Sequence, residues 1–148
     1  MPIRTATVPL DTIFDLRWSV LRPGLPRETA AFPEDAREDT FHLAAHDGDD
    51  PRVLACITLF PDAHPLGTAA YRFRGMASAP EARGLGYGHA VLAAATAEAA
   101  ARGCDLLWCN GRVAARAFYE RQGYEVVGDE FDLEGVGPHH VFARRLAP

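Results

Sequence analysis

The chain has 148 residues, 48% of them apolar and 24% charged. That suits one globular domain spanning 1–148 with a real core, and it is short for two. Net charge is −5 and all fifteen basic residues are arginines scattered among carboxylates, so nucleic acid, which selects a basic face, is not an expected partner.

No apolar run approaches the length of a membrane span. The opening "MPIRTATVPLDTIF" lacks a basic region leading into an apolar block. The expectation is a cytoplasmic protein with no membrane partner.

In chain order, "RTATV" (Arg4–Val8) reads as a strand. Asp11 is placed to cap a helix in which Ile13, Phe14, Leu16, Val20 and Leu21 fall at helical spacing. Arg22–Asp39, with three prolines, a glycine and a run of charged side chains, reads as a long loop or broken helix. Long loops inside compact domains are often functional. Strands are expected at Thr40–His46, Arg52–Phe60 and Ala69–Ser78, the second of them apolar on both alternating faces and therefore central. An alanine-rich helix follows and stops near Arg102, with Gly103 as its C-terminal signal. Cys104–Cys109 reads as a short buried strand, Arg112–Gln122 as a helix, and "YEVVGDEFDL" and "HHVFARRL" as two closing strands. This order is a mixed α/β sheet. The three cysteines, Cys56, Cys104 and Cys109, lie in apolar contexts and read as buried thiols rather than a disulfide framework.

Gly84, Gly86 and Gly88 crowd the threshold of the alanine helix. Glycine is a poor helix former, but here its lack of a side chain serves another end. The first turn of a helix leaves N–H groups unpaired at the positive end of the dipole. Bare glycines let a phosphate or pyrophosphate approach them, and Arg83 adds a counter-charge. The plainer alternative is a tight strand-to-helix turn without a ligand. A Walker loop is ruled out by the missing lysine. The dinucleotide fingerprint fails because its last glycine position falls on His89 or Val91.

The pattern that fits is R-x-x-G-x-G, as Arg83-Gly84-Leu85-Gly86-Tyr87-Gly88, led in by "RGMASAPEA". With "AARAFYERQGY" (Ala114–Tyr124) downstream, the chain resembles the GCN5-related N-acetyltransferases (GNAT superfamily) from end to end. The resemblance implies a mixed, mostly antiparallel central sheet with helices on both faces. It implies an acetyl-CoA-dependent N-acetyltransferase whose acceptor amine attacks the thioester directly. Main-chain groups of Met76, Ala77 and Ser78 would pair with pantetheine. The loop and helix start, Arg83, Gly84, Leu85, Gly86, Tyr87, Gly88 and His89, would hold the pyrophosphate. Tyr119 matches the family tyrosine that protonates the departing thiolate.

There are departures from the family pattern. Arg112 stands where many members carry an asparagine, and Asn110 lies two residues earlier, so either is placed for the pantetheine arm. The strand that often supplies a glutamate base offers Arg72 and Arg74 instead. That leaves a water chain, His139, Glu130 or solvent as the base. His139 and His140 are adjacent and would point to opposite strand faces, and no histidine spacing suits zinc, so no metal is expected.

The implied acceptor is a small-molecule amine or a peptide, with a homodimer left open. The Arg22–Asp39 segment would shape the acceptor site, its acids meeting a cationic amine or Arg17 and Arg22 meeting a carboxylate. The competing reading is a CoA-binding sensor or interaction module that keeps the fold without turnover.

Overall fold

Alternation along the strands sets the two faces of the sheet. In β2 (Phe41–Asp47) and β3 (Ala55–Pro61), Phe41, Leu43, Ala45, Ala55, Ile57 and Leu59 point to one side, and Ala44 and Cys56 to the other. The first set packs against Val91, Leu92, Ala95 and Ala99 of α2 (Tyr87–Ala101). The second packs against Ile13 of α1 (Leu10–Leu21). Helices therefore cover both faces, and β3, buried on both, is central as its sequence predicts.

The computed structural model describes residues 2–146. Its remaining elements are β1 (Ile3–Val8), β4 (Ala70–Ser78), β5 (Leu106–Arg112), α3 (Arg116–Arg121), β6 (Glu125–Leu133) and β7 (Gly137–Arg145). The seven strands lie in the order β1-β2-β3-β4-β5-β7-β6, and every neighbour pair is antiparallel except β4–β5. The expected mixed, mostly antiparallel sheet is what the chain forms. No helix among the described residues is long and apolar enough to cross a membrane.

Several boundaries differ from the sequence reading. α1 begins at Leu10 with Pro9 at its N-cap and no side-chain cap, so Asp11 sits in the first turn, where it complements the dipole. β3 starts at Ala55 rather than Arg52. The expected helix from Arg112 shrinks to Arg116–Arg121, preceded by a 3-10 turn at Val113–Ala115. Of the residues it gives up, Arg112 belongs to β5, which continues through Asn110↔Val141 and Gly111↔His140 to Arg112↔His139. The Arg22–Asp39 stretch contains two 3-10 turns, Arg27–Ala30 and Pro33–Ala36.

Two features of β4 and β5 open the sheet. They pair only from Ala70↔Leu106 to Arg72↔Trp108, after which β5 stays with β7 and β4 with β3. Against β3, the step from Cys56 to Thr58 spans three residues of β4, from Ala77 to Arg74. The extra residue makes a bulge, and Gly75 carries it at φ +67°. A Cβ there would meet the Phe32 ring at 2.8 Å, so glycine is required both by backbone conformation and by space.

Candidate active site

The splay between β4 and β5 is the floor of a cavity of about 670 Å³. Met76, Ala77, Ser78, Arg83, Gly88, Asn110 and Tyr119, all expected from the sequence, line it. Gly84, Leu85, Gly86, Tyr87 and His89 do not. Gly84, Leu85 and Gly86 form the approach to α2, and the Tyr87 side chain is buried in the core. His89 instead reaches Gln122 Oε1 at 2.5 Å, tying α2 to the end of α3. For these five, any contact with a ligand would be through main chain or at the rim.

At the glycine loop, Gly86 holds the α2 N-cap at φ +94° and no side chain caps the helix. Any residue but glycine is strained there, so Gly88 is the cleaner place to test the site. It lies on the cavity wall, and a Cβ on it would stand 3.3 Å from Ser78 Oγ, a side chain free to rotate. Gly88→Glu should lower CoA affinity by well over tenfold, since a carboxylate would repel the pyrophosphate. Calorimetry that finds the affinity intact in a folded variant would remove the phosphates from this loop.

Tyr119 lies on α3 over β5. Its ring packs on Phe142 with centroids 4.6 Å apart. It can do so because residue 111 is glycine: a Cβ there would be 2.6 Å from Tyr119 Cε2. Burial, and then the neighbouring Cys109, push the Tyr119 phenol well above its ordinary range, with Arg112 pulling weakly the other way. The hydroxyl therefore stays protonated and is a donor. The Cys109 thiol, pushed up to about 12 by burial, is not a nucleophile at neutral pH.

His139 is 4% exposed and lines the same cavity. Its Nδ1 lies 2.8 Å from the Gly137 carbonyl oxygen. That carbonyl can only accept, so Nδ1 carries a proton, and in the neutral ring the lone pair is on Nε2. His140, on the other strand face, stands edge-on to Phe142. Glu130 is exposed on β6 and is not in the cavity wall. No group of three potential metal ligands occurs among the described residues.

The cavity wall is arginine-rich. Arg17, Arg22, Arg72, Arg74, Arg83 and Arg112 all line the cavity, and no aspartate or glutamate does. Of the acids of the 22–39 segment that were expected to meet a cationic acceptor, Asp35, Glu34 and Asp39, the last by Arg37, are already engaged. Asp35 makes a two-pronged pair with Arg17 at 2.7 and 3.0 Å, and Glu34 accepts from Arg74 at 3.1 Å. Asp62 stands 3.7 Å from Arg72. Arg22, Arg83 and Arg112 form no ion pair among the described residues. Arg22 and Arg112 also line an adjoining recess with Leu25, Glu134 and Val136.

Arg17 is fully buried, and its charge is tolerated because Asp35 pairs with it and both terminal nitrogens are hydrogen-bonded, although Nε has no partner among the described residues. Besides Asp35 it reaches the Ala30 carbonyl at 3.1 Å and Thr58 Oγ1 at 2.6 Å. His42 Nδ1 shares that Thr58 hydroxyl at 2.8 Å. Burial, and next the Arg17 charge, hold His42 below its usual pKa. The unfolded chain takes up this proton near pH 6.5 while the folded chain resists it, so His42 stabilises the fold above that pH and the contribution is lost as pH falls. The melting temperature should drop between pH 7.5 and 5, and less steeply in His42→Asn. Parallel slopes in the two proteins would exclude His42 as the sensitive group.

A family model for the acetyltransferase (GNAT) family matches residues 10–124. The chain belongs to the GNAT family. It is 30% identical over 147 residues to YitI, an uncharacterised N-acetyltransferase of Bacillus subtilis strain 168, and the match covers 97% of each GNAT chain. In fold it is similar to a solved N-acetyltransferase from Lactobacillus plantarum, with TM-score 0.82, 22% identity and coverage of 99% and 100% of the two chains. It is also similar to an acyl-CoA N-acyltransferase from Pseudomonas aeruginosa, with TM-score 0.74, 23% identity and coverage of 97% and 99%. Membership in the GNAT family makes the chain an acyltransferase that uses an acyl-CoA. The opened β4–β5 pair, Gly88 at the start of α2 and Tyr119 border one cavity.

Proposed function

We propose that residues 1–148 act as one acetyltransferase domain that moves the acetyl group of acetyl-CoA to the amine of a small acceptor bearing an anionic group. The observation that carries this reading is the cavity wall, with six arginines and no carboxylate. With Arg17, Arg74 and Arg72 facing Asp35, Glu34 and Asp62, and Arg83 beside the glycine loop, Arg22 and Arg112 remain as the cations at the acceptor end without an ion pair among the described residues. A purely cationic amine would be repelled there, whereas a carboxylate or phosphate would be drawn in and oriented.

The chemistry follows from the chain's own groups. The main-chain groups of Met76–Ser78 that face away from β3, along the opened edge of β4, would serve pantetheine and the thioester carbonyl. His139 Nε2 takes one proton from the acceptor ammonium, the neutral nitrogen attacks the thioester carbon to form the new N–C bond, and its surplus proton is lost to solvent as the amide forms. As the C–S bond breaks, the Tyr119 hydroxyl gives its proton to the leaving sulfur and is reprotonated from solvent.

The test is thiol release from acetyl-CoA with aspartate, glutamate and O-phosphoserine set against putrescine and tyramine. Turnover with the anionic set, and a rise in acceptor KM in Arg112→Gln, are expected. Turnover confined to the cationic set would overturn the acceptor reading. CoA binding without thiol release from any amine would favour a sensor.

A further inference from the structure

Phe32, Glu34 and Asp35 come from one short piece of chain, and each touches an arginine of the cavity wall. The Phe32 ring lies between two guanidinium groups, with Arg17 at 4.0 Å and Arg74 at 3.9 Å from its centroid. Asp35 locks this piece to the buried Arg17, and its Oδ2 also accepts from the Phe32 backbone N–H at 2.8 Å. Glu34 then takes one nitrogen of Arg74, NH1, at 3.1 Å. A guanidinium has five N–H donors in a fixed plane. The Phe32 ring covers one face of that plane and Glu34 fixes its rotation, so the Nε and NH2 edge stays available in the cavity that Arg74 lines.

We infer that Glu34 and Phe32 are positioning residues that aim Arg74 at the anionic group of the acceptor. The inference rests on the acceptor reading above. An unrestrained arginine side chain samples many rotamers, and fixing it only on binding costs affinity. Here Arg17–Asp35 is the anchor, and Glu34 and Phe32 hold Arg74 against it. Arg17 and Asp35 variants would strand a buried charge and disturb folding, so the test uses the partly exposed pair.

Glu34→Ala, Glu34→Gln and Phe32→Leu would be assayed with the best anionic amine of the panel. Glu34→Ala and Phe32→Leu should raise acceptor KM by about tenfold, with acetyl-CoA KM and melting temperature little changed. Glu34→Gln keeps an oxygen acceptor for NH1 and should restore most of the loss, which a general structural effect would not do. An unchanged acceptor KM in Glu34→Ala overturns the inference, and so does a fall, which would mean that Glu34 competes with the acceptor for Arg74. Wild-type turnover limited to cationic amines overturns the acceptor reading and this inference together. Anionic turnover with unaltered Glu34→Ala kinetics overturns the inference alone.

Discussion

Tyr119→Phe should lower kcat by about 10²–10⁴ while leaving CoA affinity and melting temperature nearly unchanged. The substitution removes one oxygen and keeps the ring that packs on Phe142, Phe73 and Tyr124. What is lost is a proton held on the hydroxyl by burial, at the cavity wall beside Asn110 and Gly111. Without it, a thiolate must leave unprotonated, or take its proton from water. Single-turnover assays, equilibrium CoA binding and thermal melts on the same preparation separate the outcomes. A melting temperature that falls along with kcat would identify a structural hydroxyl, and full turnover with a good acceptor would exclude the role.

Local signals carried the proposed donor half of the site. A glycine cluster at the head of an alanine helix, and a tyrosine in a short helical motif, are legible because the chemistry and the residues are adjacent in sequence. The acceptor half depends on pairings between distant segments. Arg112 reads as the start of a helix until Asn110–Arg112 are drawn into β5 by β7, which puts its side chain at the cavity mouth. Glu34 and Asp35 read as contacts for a cationic amine until Arg74 and Arg17, respectively 40 and 18 residues away, claim them. Gly75 gave no signal at all, since a bulge is a mismatch between two strands and is not written in either one. The succession of strands along the chain was legible because apolar alternation is local; their order in the sheet and the opening between β4 and β5 were not.

The base is tested by removing His139 and supplying its chemistry from solution. His139→Ala should lose about 10²–10⁴ in kcat, and added imidazole should recover part of it. Acetyl-CoA KM should hold, because His139 sits on β7 toward the acceptor side of the cavity, with Leu133 and Val136 of the neighbouring turn region, and not at the glycine loop. Its hydrogen bond to Gly137 O fixes the tautomer, so a purely structural role is the competing explanation. That role predicts a lower melting temperature and no response to imidazole, because a free base in the cavity cannot rebuild a turn. An amine supplied already deprotonated at high pH gives the complementary readout. If His139 only removes a proton, the variant should approach wild-type turnover as pH rises. If the deficit stays constant across the pH range and imidazole does nothing, the proton leaves by another path, and His139 belongs to the scaffold of the β6–β7 turn.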